Sequence, residues 1–205
     1  MPQARFSKKE AIKFGWVTAK KNFWFFFGLL VVVIVVSGVS SSLQVYLNQL
    51  SNRNPLVVGI LNLLVWLVNV IIGMGLIKIS LNFVDNKTSK FTNLLYTKSL
   101  LIYIATSIIV GIATGIGFVL LIIPGIILAI KLQFASYLII DKGFGIKESI
   151  KKSWAMTKGE VWNLFLFGLL LILINLAGVI ALVVGLLLTV PLTMVAGAYV
   201  YRKLL

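Results

Sequence analysis

The chain has 205 residues, of which 60% are hydrophobic and only 12% are charged, and its formal net charge is +14. An ordinary soluble domain has about 25% charged residues, so the excess of apolar side chains requires a bilayer as a second solvent. Cysteine and histidine are both absent, which excludes disulfides, thiolate nucleophiles, histidine bases and zinc or haem ligation by these residues. We therefore expect a single membrane domain over residues 1–205, with no metal and no cofactor.

Four apolar blocks follow one another, at residues 22–50, 55–84, 99–140 and 161–201. The first two have the length of one span each, whereas the last two are about twice the ~20 residues that cross a bilayer. Glycines and the sequences IIPG and TVPL divide the two long blocks. This pattern predicts an all-α membrane protein with six transmembrane helices in three hairpins, at residues 23–43, 57–81, 98–118, 121–140, 161–182 and 185–203. Pro124 and Pro191 are the predicted helix breaks, and each marks either a kink or a re-entrant turn.

The basic residues are distributed unevenly between the two sides of the membrane. With six spans, Arg53 alone of the 19 lysines and arginines lies on the side opposite the termini. The positive-inside rule therefore predicts that both termini are cytoplasmic. On a soluble protein this charge would indicate nucleic acid, but lysines that flank apolar runs favour the anionic headgroups of the cytoplasmic leaflet. We expect no nucleic-acid partner.

Two short amphipathic segments, residues 7–20 and 145–158, each precede an apolar block. In the second, Ile146, Ile150 and Trp154 share one helical face, flanked by the serines of the segment, and lysines occupy the other face. The first opens with SKKE, the sequence of a capping box. Both segments are therefore predicted to be interfacial helices on the cytoplasmic surface.

Lysines and tryptophans of these segments are the predicted contacts to lipid headgroups. They are Lys13, Trp16, Lys20, Lys147, Lys151, Lys152, Trp154, Lys158 and Trp162. Two interpretations remain open: a site that binds a lipid or a partner, or an anchor that only sets helix tilt and depth. A membrane-protein partner or a second copy of the chain (a homo-oligomer) is the other partner that this surface would fit.

The same two segments also form an internal repeat. Residues 9–27, KEAIKFGWVTAKKNFWFFF, align without a gap with residues 147–165, KESIKKSWAMTKGEVWNLF. The matches include charged and aromatic residues, which a shared apolar bias does not produce. A weaker third copy is predicted at residues 86–103. The architecture then consists of parallel repeats, each with a surface segment followed by two spans.

Catalytic and ion-coupled chemistry has little support in the sequence. The five acidic residues all lie outside the predicted spans, where Asp141 and Glu148 are expected to pair with neighbouring lysines at the surface. No GxSxG, HExxH or Walker A sequence occurs. Asn69 and Asn175 are the most costly side chains to expose to lipid, so we expect both to point inward, in an interhelical hydrogen bond or a cavity.

These observations predict a non-enzymatic membrane scaffold or lipid-interacting module. The alternative is a small transporter, channel or flippase-like protein with a cavity near Asn69, Asn175 and the proline-broken spans. A membrane enzyme that uses the cytoplasmic carboxylates is the third possibility.

A resemblance to a known family is carried by the second half of the chain. Residues 120–174, with the later Pro191 and the sequence YVYRKL, resemble an uncharacterised bacterial six-span family. They are also similar to the membrane domain fused to some glycerophosphoryl diester phosphodiesterases. The residues that carry the resemblance are Pro124, Gly125, Asp141, Gly145, Glu148, Ser149, Lys152, Ser153, Lys158, Gly159, Trp162 and Pro191. The resemblance implies the fold and a bacterial plasma membrane, and it implies no reaction, because the phosphodiesterase chemistry of fused members belongs to a separate soluble domain.

Overall fold

The computed structural model describes residues 5–50, 54–181 and 184–205. Within these ranges the chain forms nine α-helices, one short 3₁₀ helix at Phe91–Leu95, and no strand. The α-helices are α1 (Lys8–Lys21), α2 (Phe23–Leu50), α3 (Pro55–Val84), α4 (Leu100–Leu120), α5 (Ile122–Leu132), α6 (Ala135–Lys142), α7 (Ile146–Met156), α8 (Val161–Ile180) and α9 (Leu186–Leu204). The all-α prediction is confirmed. Arg53 and residue 182, the end of the fifth predicted span, lie outside the described residues.

Five stretches of the described chain are long and apolar enough to cross a membrane. They are Phe23–Gln49, Pro55–Val84, Leu100–Leu120, Ile122–Lys142 and Val161–Ile180. The fourth stretch consists of α5 and α6, with Gln133 and Phe134 between them. The sixth predicted span corresponds to α9, which is not among the five; its last turn carries Arg202 and Lys203.

Much of the surface of these stretches is apolar and exposed. Ile60 on α3, Leu101 and Val119 on α4, and Ile180 on α8 are all large apolar side chains with most of their area uncovered. At roughly 25 cal/mol per Å² of apolar area, leaving such surfaces in water would be very unfavourable. The exposed face of the helices therefore requires an apolar solvent, which a bilayer provides.

The helix α9 lies at the centre of the bundle. It packs against α1, α2, α3 and α8, and Val195, Ala196, Ala198 and Val200 are fully buried. Small side chains at Ala196 and Ala198 let neighbouring helices approach closely. This central position accounts for the lower apolar content of α9, because most of its length faces protein and not lipid.

The helix α1 begins where the sequence predicted but packs differently. Ser7 is its N-cap, and the Ser7 hydroxyl accepts a hydrogen bond from the Glu10 N–H at 3.3 Å, a contact worth about 1 kcal/mol. Its buried face consists of Ala11, Gly15 and Ala19. A side chain at Gly15 would overlap the carbonyl oxygen of Leu192 in α9. The helix is therefore packed into the bundle along this face.

The two predicted helix breaks differ from each other. Leu121, with φ −162° and ψ 145°, separates α4 from α5, and Pro124 lies in the first turn of α5, where a missing N–H costs no helical hydrogen bond. Pro191 is buried inside α9, which continues from Leu186 to Leu204. The alternative of a re-entrant turn at Pro191 is therefore wrong, and the alternative of a kink stays a prediction.

Candidate functional site

The helix α7 turns its small polar side chains toward the protein. Ser149 and Ser153 are fully buried, together with Met156. The Ser153 hydroxyl donates to the carbonyl of Lys131 in α5 at 2.7 Å, and the Ser149 hydroxyl donates to the carbonyl of Ile146 at 2.9 Å. These bonds satisfy both hydroxyls, so the serine face can be buried without an unpaired polar group.

Next to this serine face, α7 carries partly exposed apolar side chains with lysines on their far flank. Ile146, Ile150 and Trp154 line a shallow, open hollow of about 580 Å³ together with Lys147 and Lys151. Trp154 is 43% exposed. A helix on the surface of a soluble protein has the reverse arrangement, with its apolar face inward. The exposed face of α7 thus needs an apolar or amphipathic partner.

Trp154 is held by a cation on a neighbouring helix. The Lys131 ammonium lies 3.9 Å from the centroid of the Trp154 ring, within the range of a cation–π interaction. The indole is therefore fixed at the edge of the bundle while its outer part stays exposed. This contact joins α5 to α7 beside the serine–carbonyl bond.

The helix α1 presents a related surface. Trp16 is 39% exposed, and the Lys20 ammonium lies 5.2 Å from its ring centroid. Lys13 is exposed on the same helix. The remaining predicted headgroup contacts, Lys152, Lys158 and Trp162, are also exposed, and the Trp162 ring stacks on Phe165 at 5.3 Å.

The internal repeat is visible in the burial of equivalent side chains. When residues 9–27 are aligned with 147–165, the buried positions Ala11, Gly15 and Ala19 fall on Ser149, Ser153 and Thr157, and all six are buried. The exposed tryptophans also coincide, Trp16 with Trp154 and Trp24 with Trp162. The two segments therefore use the same helical face for packing. The proposed third copy forms the 3₁₀ helix Phe91–Leu95 and no α-helix before Leu100, so it is not built like the other two.

Arg202, Asp85 and Asp141 form a cluster of ion pairs at one end of the bundle. We call this end of the bundle the basic end. The Arg202 guanidinium donates to both carboxylate oxygens of Asp85, from Nε at 2.8 Å and from Nη2 at 2.7 Å. It also donates to both oxygens of Asp141, from Nη2 at 2.7 Å and from Nη1. Asp85 caps α3, Asp141 lies in α6 and Arg202 in α9. One guanidinium thus joins the ends of three helices.

Further hydrogen bonds surround this cluster. The Tyr201 hydroxyl donates to Asp141 at 2.9 Å, and Lys142 lies 3.6 Å from the same carboxylate. The Tyr96 hydroxyl donates to the carbonyl of Ile140 at 3.3 Å. Burial, and after it the charge of Asp141, raise the pKa of Tyr96, which keeps this phenol a donor. The expectation that Asp141 pairs with lysine at the surface is therefore incomplete, because its main partner is Arg202 and it is only 12% exposed.

The N-terminal residues Arg5 and Phe6 are attached to the same end. The Arg5 guanidinium donates to the carbonyls of Met156 at 3.3 Å and Leu204 at 3.1 Å. The backbone N–H of Arg5 donates to the Glu160 carboxylate at 2.8 Å, and Glu160 is only 4% exposed. Unpaired helix-terminal carbonyls favour such a cation. The chain ends before α1 and after α9 are thereby held together with the corner between α7 and α8.

The two intramembrane asparagines have different surroundings. Asn69 is exposed on α3 and donates to the carbonyl of Val65 in its own helix at 2.9 Å, so the expectation that it points inward is wrong. Asn175 donates to the hydroxyl of Thr193 at 3.2 Å and so links α8 to α9. Its carbonyl oxygen Oδ1 is buried and has no donor among the described residues.

The apolar exposed helices and the basic end together identify the chain as a helical, multi-pass membrane protein. Comparison with family models, with curated proteins and with solved structures finds no match. The resemblance to a bacterial six-span family therefore stays a prediction.

Proposed function

We propose that this chain is a non-enzymatic, lipid-interacting module of a bacterial plasma membrane, with six spans and both termini in the cytoplasm. Its α1 and α7 surfaces contact the anionic headgroups of the cytoplasmic leaflet. The observation that carries the proposal is the orientation of α7, whose hydroxyls face the protein while Ile146, Ile150 and Trp154 remain partly exposed beside Lys147 and Lys151. Such a surface suits the interface, where the indole sits at headgroup depth and the lysines reach phosphates.

The sixth span of this topology is α9. Its 19 residues extend about 29 Å at ~1.5 Å per residue, close to the hydrocarbon thickness of a bilayer. The Arg202 side chain at its end is paired with Asp85 and Asp141, which lowers the cost of a cation near the membrane. The ends of α3, α6 and α9 then lie together on the cytoplasmic side.

This topology predicts a definite labelling pattern. The chain contains no cysteine, so a single introduced thiol reports its own location. In right-side-out bacterial spheroplasts, Asn54→Cys is expected to react with a membrane-impermeant maleimide, because it lies between the first two spans. Lys90→Cys and Leu205→Cys are expected to react only after permeabilisation. Labelling of Leu205→Cys from outside would contradict the six-span topology.

The lipid contact of α7 can be measured with Trp154 as reporter. The other four of the five tryptophans are replaced by phenylalanine, and the protein is reconstituted in phosphatidylcholine vesicles with brominated lipid. Brominated phosphatidylglycerol is expected to quench Trp154 more strongly than brominated phosphatidylcholine at equal mole fraction and low salt. Lys147→Gln with Lys151→Gln is expected to lower this preference, by about fivefold per lysine, since each juxtamembrane lysine contributes ~1 kcal/mol.

The matched control removes two other exposed lysines, which lie in the chain between α3 and α4. Lys90→Gln with Lys98→Gln changes the net charge equally but lies outside α7. The preference of Trp154 for the anionic lipid is expected to persist in this control. An unchanged preference in the Lys147 and Lys151 variant would show that α7 does not select anionic lipid, and a plain interfacial anchor would then account for it.

A transporter-like function is the second candidate, and one observation favours it. Asn175, Thr193 and Ser80 line an open hollow of about 400 Å³ beside Tyr137, between α3, α6, α8 and α9. The Oδ1 of Asn175 is buried and has no donor among the described residues, so a small polar ligand in the hollow would reach it only after the Asn175 side chain turned outward. Asn69 does not line this hollow, and α9 continues through Pro191 as one helix. We therefore place transport after lipid interaction.

A further inference from the structure

A polar cavity lies at the corner between α1 and α2, and we call it the corner cavity. It has a volume of about 620 Å³ and lies between the end of α1 and the chain that follows α3. Thr18, Lys21 and Asn22 line it from the first side, and Lys87, Thr88 and Ser89 line it from the second. None of these residues belongs to the α7 surface or to the predicted headgroup contacts.

Local backbone structure shapes both walls of the corner cavity. Asn22 ends α1, and its side-chain amide donates to the carbonyl of Thr18 at 2.9 Å, so α2 can begin at the next residue. Asn86 adopts φ 54°, a left-handed conformation that asparagine tolerates better than most residues. The Lys87 N–H then donates to the carbonyl of Asn82 at 2.8 Å. The chain after α3 is thereby folded back toward α1.

The charge of the corner cavity is positive. Two lysines and no carboxylate are among its lining residues. Asp85 lies 3.5 Å from the Lys87 ammonium, but both Asp85 oxygens also bind Arg202 at 2.7–2.8 Å. In the described part of the chain, no carboxylate oxygen lies within 4.0 Å of the Lys21 ammonium. The two ammonium groups therefore retain attraction for an anion.

Aromatic rings form the inner wall of the same cavity. Phe14, Phe25 and Phe83 line it beside the polar residues. Phe25 contacts Phe83 with ring centroids 5.5 Å apart and stacks on Phe91 at 5.0 Å. The cavity thus combines cationic and hydroxyl groups with apolar rings in its lining. A phospholipid has the complementary arrangement, with a phosphate next to its acyl chains.

We infer that the corner cavity binds a phosphate group between Lys21 and Lys87, with the hydroxyls of Thr18 and Thr88 as further donors; the Ser89 hydroxyl already donates to the carbonyl of Ile79 at 3.5 Å. This inference rests on the proposed membrane orientation, which places the cavity in the cytoplasmic leaflet. Two sources supply such a group: the phosphodiester of an anionic phospholipid, whose chains would follow Phe25 along α2, or a soluble phosphate. Ammonium and hydroxyl donors recognise the oxygens of either one.

Native mass spectrometry of the full chain in mild detergent tests this inference. Detergent removes loosely held lipid, so the titration with phosphatidylglycerol reports bound lipid, and phosphatidylcholine serves as the zwitterionic comparison of zero net charge. Lys21→Gln with Lys87→Gln is expected to weaken phosphatidylglycerol binding about 25-fold, roughly fivefold for each lysine. Thr18→Phe, which keeps both charges and fills the cavity, is expected to weaken it as well. Lys90→Gln with Lys98→Gln is the control of equal charge and is expected to bind like the wild type.

A second titration separates the two sources of phosphate. If inorganic phosphate displaces phosphatidylglycerol from the wild type, the site also accepts soluble phosphate; if it does not, the ligand is the lipid. Equal binding by the wild type and by the Lys21 and Lys87 variant, with no effect of inorganic phosphate, overturns the inference. Lys147→Gln with Lys151→Gln in the same assay distinguishes the proposals, because a loss in this variant alone supports α7 contact and refutes the corner cavity.

Discussion

Replacing Arg202 with methionine is expected to lower the free energy of unfolding by about 3 kcal/mol, the size of the effect when one partner of a buried ion pair is removed. The two carboxylates that it binds, Asp85 and Asp141, are only 21% and 12% exposed. Without the guanidinium, Asp141 retains Tyr201 and Lys142 as partners, while Asp85 retains only the weak contact to Lys87. The free energy of unfolding falls because negative charge at the ends of α3 and α6 stays partly buried without its main cation.

The measurement is equilibrium unfolding of the purified protein in mild detergent, followed by circular dichroism. Arg202→Lys keeps the positive charge but removes the planar guanidinium, which can bind two carboxylates with paired hydrogen bonds. An intermediate loss of the free energy of unfolding is therefore expected. Lys203→Met is the matched control. Lys203 is exposed, its ammonium lies 5.3 Å from the centroid of the Tyr199 ring, and it has no ion pair in the described part of the chain, so a loss of about 0.5 kcal/mol or less is expected. Equal stability of the Arg202→Met and Lys203→Met variants would refute a stabilising role of the cluster.

Helix positions could be predicted from the sequence because they depend on local signals. The SKKE sequence placed the start of α1 at Ser7, where the N-cap bond is found. The run of apolar residues from Phe23 set the start of α2, and the end of α3 at Val84 lies within three residues of the prediction at 81. Hydropathy and capping act within a few residues of the chain, so a single sequence contains them.

The orientation of a helix could not be predicted in the same way. In α7 the serines were assigned to the flanks of an apolar face, whereas Ser149 and Ser153 are the buried centre of the packing face. The reason is the carbonyl of Lys131, which gives Ser153 a hydrogen-bond partner in α5. In a membrane protein both sides of a helix meet an apolar environment, so amphipathicity alone does not show which side meets protein.

The ion pairs of the basic end could not be predicted from the sequence either. Asp85, Asp141 and Arg202 come from three distant parts of the chain. The two aspartates each have a lysine close in sequence, Lys87 and Lys142, which favours the interpretation of local surface pairs. Only the packing of α3, α6 and α9 brings them together. Short-range charge patterns report neighbours along a helix and contain no information about such long-range partners.

Replacing Gly15 with alanine is expected to destabilise the protein by about 2–3 kcal/mol, the upper range for overpacking. The added methyl group would overlap the carbonyl oxygen of Leu192 and lie 3.2 Å from the Cβ atom of Ala196. Because the first obstacle is backbone in the central helix, no side-chain rotation relieves it, and α1 must move away from α9. The equivalent position in the repeat, Ser153, tolerates a hydroxymethyl group only because its neighbour is a carbonyl at hydrogen-bonding distance.

The matched control for this substitution is Gly38→Ala, in α2. An added Cβ atom there has no neighbour within 4 Å, so the change is expected to stabilise the helix by up to about 1 kcal/mol through its propensity. Unfolding in detergent measures both variants. Displacement of α1 would also release Arg5 from the carbonyls of Met156 and Leu204, so trypsin should cleave the Gly15→Ala variant faster after Arg5, Lys8 and Lys9. If Gly15→Ala and Gly38→Ala are equally stable and equally resistant to trypsin, α1 is not held against α9, and it would then lie at the interface as the sequence pattern alone predicts.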